Sequence, residues 1–480
     1  MQSDHRISVE EAVQLLAMVG DLSMGQPTDQ SIRTAHVAER LALAAGAGAA
    51  GCQHARLVAL LRWSGCTANA AGFALLMGDD VGARDALITH TLPPEQRKDF
   101  TSVAPLARIH CEVSGDIAQT LGLPGEVQLG LRRVWEHYDG GGMPERLRSP
   151  HIPQVVYHAN LAGDLVVLTR AHGMNEALRL IQALADRKYP AELVRKLAAH
   201  AQAWLDAADA PPCPPDAHAM ARRVPLTIVA DMIELKLPWL LGYSRCVADL
   251  AERAALLAGL PEAERHCLAR AALIHGIGRA AVPNAVWQRD GKLGMADWEK
   301  LRLVPYWTAR AAVQVPSLRA EALLASQLYE RLDGSGYYRD LDGAQLGQPQ
   351  RLLSAAAAYA ALCMPRPWRA ALAPAEAAQL LCAEAAGGRF DAAAVNCVIA
   401  AAGGASAQAA EPVAESRKLL SEREADVLRR ISLGESNKEA ARHLAISPST
   451  VRTHVESIFR KLGCSTRAAA TLKALTLGLI

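Results

Sequence analysis

The stretch WEHYDGGGMPER, Trp135 to Arg146, is matched by YERLDGSGYYRD, Tyr329 to Asp340. Both run aromatic, Glu, two residues, Asp, Gly, any residue, Gly, and the second lies 329 − 135 = 194 residues after the first. An earlier pair, SIRTAHVAERLA from Ser31 and SRCVADLAERAA from Ser244, is separated by 244 − 31 = 213. Two motifs repeated in one order at similar spacing point to an internal duplication rather than chance likeness between alanine-rich helices. Apolar residues in both copies recur at three- and four-residue steps, which predicts helices. The Asp-Gly-x-Gly stretch reads as a turn. Asp139 or Asp333 caps it, and the glycines supply backbone at positive φ.

Composition agrees with an all-α chain. Of 480 residues 51% are hydrophobic and only 4% aromatic, with alanine and leucine dominant; these favour helix over strand. That length predicts about two to four domains. A proline-rich linker is expected at 206–222 and a small, polar one at 404–417. They divide the chain into residues 1–205, 223–403 and 418–480. Ten scattered cysteines without a CxxC pair predict a reduced, cytoplasmic protein. The amino terminus reads as an amphipathic helix and not a signal peptide, and no apolar run reaches the ~18 residues of a membrane span. The net charge of +2 carries no message for the whole chain.

The message is local. From Lys418 to Ile480 eleven Lys and Arg stand against six Asp and Glu, leaving about −3 for the rest. Basic excess on a small helical segment is the electrostatic footprint of a DNA-binding domain. Ser421 precedes Glu422 and Glu424 and predicts a capped helix ending near Gly434. A second helix starts at Asn437. Ser447 and Pro448 open a third that runs to about Lys461. Two short helices joined by a tight turn make a helix-turn-helix.

LSEREADVL, NKEAARHLAISPSTVRTHV and IFRKLG carry a specific resemblance to the LuxR/NarL-type helix-turn-helix domain over nearly the whole segment. The resemblance implies a four-helix domain whose third helix enters the major groove of double-stranded DNA. Arg452, Thr453 and Glu456 would then face base edges, Arg452 toward guanine and Glu456 toward cytosine. Asn437, Lys438, Thr450, His454 and Lys461 would hold phosphates. Val451, Val455, Ile458 and Leu462 would pack inward. The last helix, RAAATLKALTLGLI, would pair two copies in a homodimer.

The second copy, roughly Leu237 to Ala402, resembles the HD-GYP family, helical metal-dependent phosphodiesterases of cyclic di-GMP. AALIHGIGRAAVPNAVWQRDGKLGMADWEKLRLVPYW, YERLDGSGYYRDL and RLLSAAAAYAALCMPRPWRAAL carry the likeness. The family's chemistry implies His and Asp side chains holding two or three iron or manganese ions that activate hydroxide. Those positions fall here on Tyr243, the pair His275-Gly276, Val304, the pair Leu328-Tyr329, and Ala357. Arg279 stands for the substrate-binding Lys, and Tyr338 for the Pro of the motif. The first copy places Gln30, Arg62-Trp63, His110, Val134-Trp135 and Asn160 at the corresponding points.

His275 and His110 are thus vestigial, and read as hydrogen-bonded core histidines. His137, His151, His158 and His172 gather in sequence near the first turn and read as surface or loop residues. No catalytic residue, metal or cofactor is assigned. The expected protein is a transcriptional regulator with two degenerate HD-GYP-like domains that sense or dimerise, with a nucleotide or small molecule as the open ligand class and no membrane partner. The alternative is a phosphohydrolase of the cyclic di-GMP type with a non-standard site, drawing on His54, His158 or Asp164. A scaffold with a vestigial helix-turn-helix is a third reading.

Overall fold

In the computed structural model the described residues are 5–96, 100–208, 220–404 and 419–480. The two predicted linkers lie mostly outside them, at 209–219 and 405–417. The helix Ala191–Ala208 continues through 206–208, at the start of the first. The described residues are mainly helical. The only strands among the described residues are Arg6–Ser8 and Arg223–Pro225, three residues each. No described helix is long and apolar enough to cross a membrane.

Two compact units emerge. One holds Ser8–Val224 and Cys464–Lys473; the other holds Met1–Ile7, Pro225–Gly463 and Ala474–Ile480. The duplication is legible in their helices. Gln30–Ala44 and Ala49–Leu61 recur as Tyr243–Leu257 and Glu262–Ile274, each displaced by 213. Gly125–Arg132 recurs as Arg319–Ser326, displaced by 194. Gln154–His172 and Gln348–Cys363 also begin 194 apart. The sequence offsets are therefore structural offsets, and the 19 extra residues of the first copy fall between these helix pairs.

The repeated turn has one architect in both copies. Glu136 is 1% exposed and accepts the backbone N–H groups of Glu145 and Leu147, both at 2.8 Å. Glu330, also 1% exposed, accepts those of Arg339 at 2.8 Å and Leu341 at 3.1 Å. Asp139 and Asp333 cap the turn as expected, accepting from Gly141 and Ser335 N–H. The first glycine, Gly140 or Gly334, has φ of +82° or +73°. The second is required by space: a Cβ on Gly142 would lie 2.3 Å from His137 N, and one on Gly336 would lie 2.4 Å from Glu330 Cα.

The carboxy-terminal segment forms helices Glu422–Ser432, Asn437–Leu444, Pro448–Leu462 and Arg467–Thr476. Ser421 and Ser447 cap as expected. A further capping box, Ser436 with Glu439, opens the second helix. Ala445 at φ +53° closes that helix and makes the tight turn. Val451, Val455, Ile458 and Leu462 are buried, so the third helix turns its opposite face outward.

Candidate functional site

Pro448–Leu462 presents Arg452, Thr453 and Glu456 on its exposed side, with Thr450 exposed at its start and His454 half-buried. Lys438 is exposed and Asn437 half-buried on the second helix. Arg452 Nε lies 2.9 Å from Glu456 Oε1, one helical turn away. Two of the three expected base readers therefore hold each other in the free protein, a pair of exposed side chains worth only about 0.3–0.5 kcal/mol and easily opened.

Lys461 has a partner that the sequence did not disclose. Its Nζ is 2.6 Å from Glu424 Oε2, on the first helix of the segment. Glu424 also accepts from Ser421 N–H at 2.7 Å and Ser457 Oγ at 2.8 Å. Burial raises its carboxyl, but these donors outweigh burial and hold it at about 2.

The last helix is largely buried. Ala469, Ala470 and Leu472 are buried, and Lys473 Nζ stands 3.5 Å from Asp116 in the same unit. Ser465 N–H and Oγ donate to Glu112.

In the second copy the positions singled out by the metal motif do converge, and their chemistry is changed. The Tyr243 and His275 rings lie 5.5 Å apart. The Tyr243 hydroxyl donates to the Ala357 carbonyl at 2.9 Å. Arg279 Nη2 is 2.9 Å from His275 Nε2 and donates to the Tyr329 hydroxyl at 3.3 Å. Its guanidinium lies 5.1 Å from the centre of the Tyr243 ring. Val304 and Leu328 are buried. Burial and the neighbouring Arg279 depress His275 to about 3, so its imidazole is neutral.

The first copy repeats this plan with other residues. Arg62 is 3% exposed, lies 3.8 Å over the Trp63 ring and donates to Ala59 C=O and Thr34 Oγ1. Burial lowers it to about 10, against the attraction of Asp21 and Asp164. His110 is fully buried and depressed to about 4 by burial. Its Nε2 is 2.8 Å from Arg62 C=O, and Trp135 lies 5.1 Å away. One assignment needs correction. Asn160 donates to the Val134 carbonyl, as Ser354 does to that of Leu328, both pairs displaced by 194. Asn160 is therefore the counterpart of Ser354, and Gly163 is the counterpart of Ala357. A Cβ on Gly163 would meet Arg62 Nε at 3.2 Å, so the guanidinium occupies that room.

The other histidines do not gather. His158 is 4% exposed with neither ring nitrogen hydrogen-bonded, His172 Nε2 contacts Thr89 C=O at 2.6 Å, and His54 pairs with Glu126. Asp164 is taken by Lys188 and Tyr189. Among the described residues no three His, Cys, Asp or Glu side chains are placed to hold a metal ion. A cluster of iron or manganese needs several such donors. The residues at these positions do not fit it: Tyr243, Val304, Leu328 and Ala357 in the second copy, and Arg62 in the first, offer no carboxylate or imidazole.

A family model for the HD domain matches residues 227–394, and one for bacterial regulatory proteins of the luxR family matches 418–474. The chain is 29% identical over 282 residues to 3′3′-cGAMP-specific phosphodiesterase 3 of Vibrio cholerae, covering 56% of this chain and 61% of that protein. It is 48% identical over 68 residues to the probable transcriptional regulatory protein NarL of Mycobacterium tuberculosis, 14% of this chain and 30% of that one. The chain thus spans less than two thirds of the length of these relatives. A crystal structure of a cyclic GMP-AMP-specific phosphodiesterase from V. cholerae shares the fold, with a TM-score of 0.61 over 83% of this chain and 98% of that chain at 22% identity. This chain is an HD-domain protein, with tandem HD-GYP-like helical folds, that ends in a LuxR-family helix-turn-helix domain.

Proposed function

We propose that the chain is a sequence-specific DNA-binding transcription regulator. Its two HD-GYP-like domains, over 1–205 and 223–403, act as non-catalytic sensory or dimerisation modules for the DNA-binding domain at 418–480. The observation that carries the non-catalytic part is what stands at the expected ligand positions: Tyr243, Val304, Leu328 and Ala357 in the second copy and Arg62 in the first, all buried and none a carboxylate or an imidazole. A guanidinium is a permanent cation with donors only and cannot ligate a metal. The DNA-binding part is supported by the exposed row Arg452, Thr453 and Glu456 above a buried face.

On this reading Arg452 and Glu456 exchange each other for base edges. Asn437, Lys438, Thr450, His454 and Lys461 take phosphates. A homodimer formed through the last helix requires Lys473 and Ser465 to leave Asp116 and Glu112.

The test is made on the full chain purified without chelator. Iron, manganese and zinc are quantified per chain, and hydrolysis of cyclic di-GMP and 3′3′-cGAMP is followed with added Mn²⁺. Less than about 0.1 metal per chain, no turnover and salt-sensitive binding of a specific duplex are expected. Turnover abolished by His275→Ala would overturn the non-catalytic assignment.

A further inference from the structure

Beside the Arg279 cluster in the second copy lies a cavity of about 520 Å³, well within the ~300–1,000 Å³ of small-molecule sites. Its walls are largely aromatic: Trp287, Trp298, Trp368, Tyr329 and Tyr337. The two tyrosine rings are stacked, 5.1 Å apart and 12° from parallel. Trp298 and Trp368 are 43% and 53% exposed, much apolar surface to leave in water at one place. Trp287 has an indole N–H that is buried without an acceptor. Such a donor is normally satisfied, and here a ligand oxygen would satisfy it.

Charge narrows the ligand further. Two cations line the cavity, Arg289 and Lys292. Arg289 is neutralised by Asp297 at 2.8 Å. Lys292 is exposed and makes no ion pair among the described residues. The lining thus has one uncompensated positive charge. Arg279 stands behind Tyr329, donating to its hydroxyl, and does not line the cavity.

We propose that this cavity binds a flat aromatic molecule carrying a single negative charge, of the aromatic carboxylate class. The ring lies among the tryptophans and tyrosines, and the carboxylate meets Lys292 and the Trp287 N–H. A cyclic dinucleotide, with two phosphodiester charges, would leave one of them unpaired against an apolar wall, where an unpaired charge is costly. The inference deepens the sensory reading of the second copy, but binding is measured separately from any effect on DNA.

The experiment titrates 1-naphthoate into the full chain. It follows quenching of tryptophan fluorescence, with calorimetry for stoichiometry. 1-Naphthalenemethanol supplies the ring without the charge, and cyclohexanecarboxylate the charge without the ring. Saturable binding at one site is expected, with naphthoate about tenfold tighter than either control, the scale of one stacked ring or one charge-assisted contact. Trp298→Leu should weaken naphthoate about tenfold. Lys292→Gln should weaken naphthoate by a similar factor and leave the alcohol unchanged. Both side chains are exposed, and an unchanged melting temperature verifies that each variant is folded.

Binding that does not saturate, or that is indifferent to both substitutions, overturns the proposal. So does 3′3′-cGAMP binding more tightly than naphthoate in competition with it. Naphthoate binding that leaves DNA affinity unaltered keeps the cavity assignment and removes only its sensory role.

Discussion

Replacing Lys461 with alanine strikes an interhelical clamp and a proposed phosphate contact together, and measurement separates the two. Glu424 is 5% exposed, and Lys461 is one of its three kinds of donor, with Ser421 and Ser457. Its carboxyl stands at about 2 against an ordinary 4.5, which at about 1.4 kcal/mol per unit gives about 3 kcal/mol as the net of all donors together less the cost of burial. The Lys461 side chain is 36% exposed, so water screens its share. About 1–2 kcal/mol is the expected loss.

Local opening of Pro448–Leu462 should then rise about 5- to 30-fold, read as faster amide hydrogen exchange along that helix in the full chain. The folded carboxyl is below its unfolded value. Its stabilisation is therefore complete above about pH 4.5 and lost as pH falls toward 2. In the variant the loss should be smaller and complete at higher pH. If Lys461 also meets a phosphate, the slope of log affinity against log salt should fall by about 0.9. Unchanged exchange would refute the clamp. Faster exchange with an unchanged slope would remove Lys461 from the phosphate contacts.

Arg452→Ala should weaken the best duplex by about 1–3 kcal/mol and flatten discrimination at one base pair, as read from affinities across a panel of single-mismatch duplexes. Equal loss of affinity on every duplex would contradict a base-reading role. Gly336→Ala and Gly142→Ala should each destabilise their own copy by up to about 3 kcal/mol, because the added Cβ meets backbone that cannot yield cheaply; limited proteolysis of the full chain would localise the loss. Arg279→Met exchanges a guanidinium, one of whose amino groups is buried unpartnered, for apolar volume. It should change stability to urea by less than about 1 kcal/mol, and a loss several times larger would mean that the guanidinium holds the copy together.

Much of this was legible because it rests on local pattern. Helix periodicity, the caps Ser421 and Ser447, and the inward row Val451, Val455, Ile458 and Leu462 are short-range consequences of residue type. The two offsets were read from motifs and recur in helix starts, since a duplicated fold preserves spacing wherever no residue is inserted. What escaped was set by distant partners. Glu424 and Lys461 are 37 positions apart, and nothing local in either residue announces the other. The turn was read from its Asp and glycines, although its buried organiser is the Glu one residue after the start of each match. A signal was present: Glu136 and Glu330 are themselves 194 apart. Asn160 was misplaced by matching side-chain chemistry, Asn for Asp, where hydrogen bonding to Val134 fixes a different register.

The arginines press hardest on how this fold changed its chemistry. Arg62 stands where the second copy has His275, and Arg279 where the first has Cys66, each pair displaced by 213. The two guanidiniums therefore come from different positions and enter a corresponding region of each copy. Polar groups buried in such a region need hydrogen-bond partners. One guanidinium offers five N–H donors and a flat face for aromatic rings. Arg62 uses both, bonding Thr34 and Ala59 while covering Trp63; Arg279 uses both, bonding Tyr329 and contacting His275 while facing Tyr243. On the proposed non-catalytic reading, each copy sets one guanidinium against aromatic rings in this region, and the helices and turns that position it recur in both.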